Sequence, residues 1–337
     1  NDMALLADET YRDTFNLNYR VGPIYDILRH PDTRMPMAIA IYGDWGTGKT
    51  SAMRWLDGLL QTWNKKGKDK DRIKVRAVWF YPWKYYSRED VWRGLVAEVI
   101  IRSIDVTEAT VGTVTKAAKQ FGIFLGRSFL HVLDGLKLKA DVPGTKTGAE
   151  LDLGSIKDIV AEYQAAAHPE RAYLNEFAAS LREWIQETIG KNERMVVFID
   201  DLDRCMPDVA LQVLEALKLY LNIDRLIFVL GVDRSVIDQL VAKHYAELGL
   251  DVEKSKNYLA KMFQVEVDLA PSEIQIVNFL DAHLKSLDYW QQHLSEEEQD
   301  LFRKLILKMA ERNPREVKRL INSALMWGGG VLVVGKE

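Results

Sequence analysis

The segment Ile41-Tyr42-Gly43-Asp44-Trp45-Gly46-Thr47-Gly48-Lys49-Thr50-Ser51 constrains this chain more than any other. It fits the spacing GxxxxGK[ST], with an apolar run at Ala38–Tyr42 before it and a helical pattern at Ala52–Leu60 after it. Glycines let such a backbone curl until its amides converge on an anion, and the following helix adds the positive end of its dipole. Lys49 then places a cation at the β- and γ-phosphates of a nucleotide, and the Thr50 hydroxyl suits a Mg2+ ion. The expected nucleotide contacts are Gly43, Trp45, Gly46, Thr47, Gly48, Lys49, Thr50 and Ser51. The pattern alone arises by chance in roughly one chain of this length per hundred, and the flanking strand and helix make chance rarer still. Trp45 either covers the loop or packs locally, and the sequence leaves both readings open.

A second signal is Met195-Val196-Val197-Phe198-Ile199-Asp200-Asp201-Leu202-Asp203-Arg204. Five apolar residues followed by carboxylates put the acids at the carboxyl edge of a central strand, where open α/β sheets bind ligands. Asp200 is the expected partner of Mg2+. Asp201 is the candidate for polarising an attacking water, with Asp203 as the alternative. Most P-loop ATPases of this division carry Glu where Asp201 stands, and the shorter side chain predicts slow turnover. Arg204 is read as an ion-pair partner of Asp201 or Asp203 in preference to an arginine finger acting on another copy.

Five apolar runs read as buried strands: Ala38–Tyr42, Val75–Phe80, Met195–Ile199, Leu226–Leu230 and Phe263–Leu269. Helical patterns separate most of them, which predicts a doubly wound parallel sheet with helices on both faces. After Pro271 the pattern is all-helical, at Glu273–Leu287, Glu296–Glu311 and Arg315–Met326. The expected organisation is a core over 1–270, with an insert at about 103–191, and a helical lid over 271–337. Inside the insert, Ala140–Ser155 carries Pro143, Gly144, Gly148 and Gly154 and reads as an exposed loop. In the lid, Pro314 fits a helix start, and Arg315 is placed to reach the phosphates on closure. Asp233, after the Leu226–Leu230 run, serves equally as a γ-phosphate sensor or as a helix cap. The aromatic segment Val78–Tyr86 reads as packing in preference to base stacking. Val331–Val334 finds no place in this scheme.

Composition narrows the rest. A net charge of −4 gives no whole-chain argument for nucleic acid, leaving the run Lys65-Lys66-Gly67-Lys68-Asp69-Lys70 as a weak one. The single cysteine, Cys205, excludes an internal disulfide or multi-thiolate site and fits a reducing cytoplasm. Acidic residues at the start replace the basic region of a signal peptide. The most apolar stretch, Phe121–Leu138, is interrupted by Arg127, His131 and Asp134, and falls short of the roughly 18 uninterrupted residues of a span. It reads as a helix packed on this protein, with membrane-surface or partner binding as the lesser alternatives. No NKxD motif of GTP-specific proteins occurs, which favours ATP.

Taken together these segments resemble the KAP family of P-loop NTPases, and more distantly the STAND-type regulatory ATPases. The matching pieces are IYGDWGTGKTS, the strand ending in Tyr81-Pro82-Trp83, VVFIDDLDRC, FVLGVDRSVI, YLAKMFQ at Tyr258–Gln264, and NPREVKRLIN at Asn313–Asn322. The resemblance implies an additional-strand ATPase fold with the acidic strand beside the P-loop strand, and a helical lid. It implies Mg-ATP hydrolysis and a role in signalling or anti-phage defence, often near a membrane. The chain departs from the family pattern at Tyr81, where Asn is common, and in an insert that carries no membrane-spanning helices. The expected activity is therefore a slow, nucleotide-dependent switch that gates a protein partner or self-association. A scaffold with little turnover and a nucleic-acid-stimulated ATPase are the alternatives.

Overall fold

The computed structural model describes residues 17–65, 72–85, 87–104, 116–117, 120–121, 172–220, 223–249, 256–285 and 294–327. Its strands are β1 (Met37–Tyr42), β2 (Lys74–Phe80), β3 (Glu193–Ile199), β4 (Leu226–Val232) and β5 (Val265–Asp268). They form one sheet of order β2-β3-β4-β1-β5 with every pairing parallel. β4 is buried at all its positions, and β1 and β3 at nearly all, as expected of parallel strands covered on both faces. β5 closes one edge and is only partly covered. The apolar run beginning at Phe263 enters the sheet late because Phe263 still bonds helically to Leu259. Gln264 then bridges to β1, its amide donating to the Ala38 carbonyl and its side chain accepting from the Ala38 amide.

The order corrects one expectation. The acidic strand β3 does not lie beside the P-loop strand β1, because β4 separates them. All seven residues of β4 are buried, and its hydrogen-bonding edges pair with Met195–Ile199 on one side and Met37–Tyr42 on the other. A strand with no solvent-tolerant side fits the middle of a sheet. That placement appears only in the pairing of whole strands, and local pattern does not reveal it.

Alternation along the strands sorts two cores. Ile39 and Ile41 of β1 join Val196, Phe198, Ile227 and Val229 under α1 (Leu17–Arg29) and α2 (Lys49–Lys65). Ala38, Ala40, Val197, Ile199, Phe228 and Leu230 face the other way, toward α3 (Arg88–Ser103), α4 (Ala172–Thr188) and α5 (Pro207–Tyr220). The helices α6 (Arg234–Glu247) and the short α7 (Lys256–Met262) add Ile237, Val241, Leu259 and Met262 to this second core.

A third apolar cluster is self-contained. Ile276, Phe279 and Leu280 of α8 (Glu273–Lys285), Ile306 of α9 (Glu296–Met309), and Val317, Ile321 and Leu325 of α10 (Pro314–Trp327) pack on one another. α9 opens on a capping box between Ser295 and Glu298. Of the insert, α4 is described, and Phe121 is buried edge-on to Phe177 and Trp184. The expected loop Ala140–Ser155, the rest of Phe121–Leu138 and the Val331–Val334 run lie outside the described residues. Among the described residues no helix is long and apolar enough to cross a membrane.

Candidate nucleotide site

The loop between β1 and α2 is built as its glycines require. Gly46 and Gly48 adopt φ of 88° and 100°, the left-handed region that a side chain resists. At Gly43 a Cβ would collide with the Thr47 hydroxyl, which instead donates to the Asp44 carbonyl at 2.8 Å. α2 starts at Lys49, so its first amides have no intrahelical acceptor and are available to an anion.

Lys49 is buried, and its Nζ donates to the Gly43 carbonyl at 2.9 Å, the Asp44 carbonyl at 3.3 Å and Asp203 Oδ2 at 3.2 Å. The ammonium therefore sits over the loop and is tied to the tip of β3. Asp203 lies in a 3-10 turn, Leu202–Arg204, which turns the chain back across the sheet edge.

The other two acids are held differently. Asp200 is 1% exposed, accepts from the Asp201 amide at 3.0 Å, and is hydrogen-bonded by the Thr50 side chain. Burial, reinforced by the neighbouring Asp201 charge, pushes its pKa up to about 6. Asp201 is a non-glycine residue at φ 60°, a left-handed conformation that Asp tolerates better than most. Burial also raises its pKa, while the Arg204 guanidinium opposes the shift from 2.9 Å away. The Arg204–Asp201 pair matches the ion-pair reading of the sequence. Cys205 follows, its thiol pushed up to about 12 by burial and by Asp203 and Asp201, so it is no nucleophile here.

Asp200 and Thr50 bring a buried carboxylate and a hydroxyl together. These are hard oxygen donors that leave room for water and phosphate oxygens, the sparse protein ligation Mg2+ accepts. Among the described residues no group of three or more His, Cys, Asp or Glu is arranged to hold a metal by itself. The donor set fits a cation shared with a phosphate.

Across the loop lie the C-terminal helices. Asn313 caps α10, its side-chain oxygen accepting from the Arg315 and Glu316 amides at 3.0 and 3.4 Å. Its side-chain nitrogen donates to the Trp45 carbonyl at 2.6 Å. The Arg315 guanidinium lies 4.6 Å from the centroid of the Trp45 ring and, less than Arg204, opposes the upward shift that burial gives Asp201. Trp45 is thus the loop's contact with the helical cluster. A Cβ on Gly46 would stand 2.6 Å from Asn313 Oδ1 and 2.8 Å from Arg315 Cβ. A cavity of about 530 Å3 opens at this seam, lined by Asp44, Thr47, Pro271, Met309, Arg312 and Asn313 among others. Glu311 and Arg312, on its rim, both hold positive φ, of 46° and 64°. Such conformations cost about 1 kcal/mol each and gather at ligand sites.

Two expectations resolve simply. Asp233 caps α6, accepting from the Ser235 and Val236 amides. In the aromatic segment Trp79 stacks on Phe198 at 4.9 Å, and Tyr85 stacks on Phe80 at 5.4 Å. Trp79 also donates to Asp57 at 2.8 Å and carries the Arg54 guanidinium 3.6 Å above its ring. Tyr81, the departure from the family pattern, accepts a hydrogen bond from Arg54. Only Trp83 of the described rings here stands well exposed. Sequence reasoning missed Gly231 and Asn313. A Cβ on Gly231 would meet Asp200 Oδ1 and Lys49 Cβ at 3.4 Å and press at 2.5 Å on the flexible end of Met53, so β4 passes directly against these site residues here. A glycine inside an apolar strand was the available signal.

A parallel sheet with a strand inserted between the P-loop strand and the acidic strand, and a glycine loop opening α2, defines a P-loop NTPase of the additional-strand type. The KAP family P-loop domain matches residues 21–329, and the chain belongs to that family. No curated protein matches. Among solved structures, the Aeropyrum pernix Orc1 protein in complex with DNA is similar with a TM-score of 0.45 and 12% identity. The alignment covers 93% of this chain and 60% of that one, so the chain spans under two thirds of that protein's length.

Proposed function

We propose that this protein hydrolyses Mg-ATP slowly and uses the nucleotide state as a switch. The observation that carries the reading is the convergence of Lys49, Thr50 and Asp200 at one end of the sheet, with Arg315 and Asn313 closing over the same loop. The amides of the loop and of the first turn of α2 bind the phosphates, and Lys49 adds its charge to the β- and γ-phosphates. Thr50 and Asp200 would hold Mg2+, whose charge offsets that of the triphosphate. Asp201 orients the attacking water and accepts its proton, a task helped by the burial that raises its pKa. Asp203 positions Lys49, which engages its carboxylate at 3.2 Å and so makes it the poorer base. The base and ribose find room in the cavity of about 530 Å3 at the seam, a size suited to a small ligand.

Arg315 supplies the readout. It touches the P-loop through Trp45 and belongs to a separately packed helical cluster, so nucleotide bound in the loop biases where those helices rest. The family resemblance extends this to gating of a protein partner or self-association in signalling or anti-phage defence. The test is phosphate release from Mg-ATP by purified protein beside a Lys49→Ala control. Turnover above that control supports the proposal, and equal rates end it. Lys49→Ala is further expected to weaken ATP affinity by about a hundredfold or more in calorimetry.

A further inference from the structure

At the amino edge of the sheet, opposite the phosphate loop, a second cavity of about 640 Å3 is lined by Asp26, Arg29, His30, Trp63 and Arg72, with Pro31 and Ile73 as walls. Pro31 lies before β1 and Ile73 before β2, which fixes the cavity at the end of the sheet away from Lys49.

Its cations are held in place. The guanidinium carbons of Arg29 and Arg72 lie 4.7 and 3.3 Å from the centroid of the Trp63 ring. Tyr25 meets the indole edge-on at 6.5 Å, and Trp63 Nε1 donates to the Ile73 carbonyl at 2.8 Å. A guanidinium laid on an aromatic face keeps its N–H groups directed outward in its own plane, ready for a planar or tetrahedral anion. Beneath the wall, Arg194 is 2% exposed and donates to the carbonyls of Leu28 and Pro31 at 3.3 and 2.9 Å. That buried residue ties the end of α1 to β3.

Among the described residues, the acids near these cations leave an imbalance. Asp26 pairs with Arg29 at 2.7 Å, and the exposed Asp32 lies 3.9 Å from His30 Nδ1. Arg72 has no ion pair among the described residues, and its Nε is buried without a hydrogen-bond partner. A guanidinium resting on an indole at the wall of a cavity, beside a second cation and with no carboxylate of its own among the described residues, leaves charge for an anion to meet.

We propose that this cavity binds a small phosphorylated ligand of about mononucleotide size, with Arg72 as the principal phosphate contact and Arg29 and His30 as supporting donors. The cavity, unlike a basic stripe, favours a compact ligand over a nucleic-acid backbone. The inference does not depend on nucleotide binding at Lys49.

The test is calorimetry with inorganic pyrophosphate on Lys49→Ala protein, which weakens the P-loop's own contribution. Binding is expected, weakened about tenfold or more by adding Arg72→Gln and unchanged by adding Lys304→Gln on α9. Should Arg72→Gln unfold the protein, Arg72→Lys keeps the charge, loses the fork, and is expected to weaken binding as well. No measurable binding would overturn the proposal, as would binding indifferent to both Arg72 variants. Binding by a 5′-phosphorylated oligothymidylate but not by pyrophosphate would also overturn it. None of these results bears on turnover at the P-loop.

Discussion

The acids at the tip of β3 occupy neighbouring positions yet sit in different environments. Asp201→Asn keeps the size of the side chain and removes the base, so kcat is expected to fall about a hundredfold or more with ATP affinity nearly unchanged. Asp203→Asn removes only the anchor of Lys49 and is expected to cost turnover less. Single-turnover phosphate release on both variants separates the two roles, and the reverse ranking would exchange them. Asp200 makes a prediction about stability. Its folded-state pKa of about 6 lies above the ordinary carboxylate value. Ionised Asp200 therefore costs the nucleotide-free fold stability at neutral pH, and that cost is relieved as pH falls through about 6. Asp200→Asn preserves an acceptor for the Asp201 amide. It is expected to raise the melting temperature by several degrees at about pH 8, with the gain gone below about pH 4. Equal gains at both pH values would mean that burial does not disfavour the charge.

At the scale of elements, the strands and helices were largely legible because their apolar runs are long and their breakers clear. The P-loop announced β1 and α2 together, and the run ending in Asp200 announced β3. What remained hidden was relational. Nothing in Leu226–Val232 says that it inserts between β1 and β3, since that depends on how crossovers close over two cores. The links from Asn313 to the Trp45 carbonyl and from Arg315 to the Trp45 ring join residues far apart in the chain. The sequence offered Arg315 as a residue that reaches the phosphates on closure, but gave no sign of its contact with Trp45. Asn313→Ala tests that element directly. It removes the cap of α10 at a cost of about 1 kcal/mol and also cuts the tie to the P-loop. Both the melting temperature and ATP affinity are expected to fall. Asn313→Ser, which restores a cap without the long amide donor, is expected to recover the stability and not the affinity.

For the molecule as a whole, the sheet separates two places where an anion can be held, with α2 running from Lys49 at one to Trp63 near the other. Ligand binding to the folded state alone stabilises it by mass action. Mg-ATP at a hundredfold excess over its Kd is expected to add about 2.7 kcal/mol, read as a rise of a few degrees in melting temperature that Lys49→Ala abolishes. The same rise in the Lys49→Ala protein would place the stabilising nucleotide elsewhere.

The absent side chain at Gly46 has a mechanical consequence. With Asn313 and Arg315 already within 3 Å of where a methyl group would go, the seam between sheet and helical trio has no slack at that point. A shift of the loop at Gly46 as it grasps phosphate would press directly on Asn313 and Arg315. Even an alanine there would act as a wedge against Asn313 and Arg315, and under the proposed switch it is expected to blunt the response of the helical trio to nucleotide more than nucleotide binding itself.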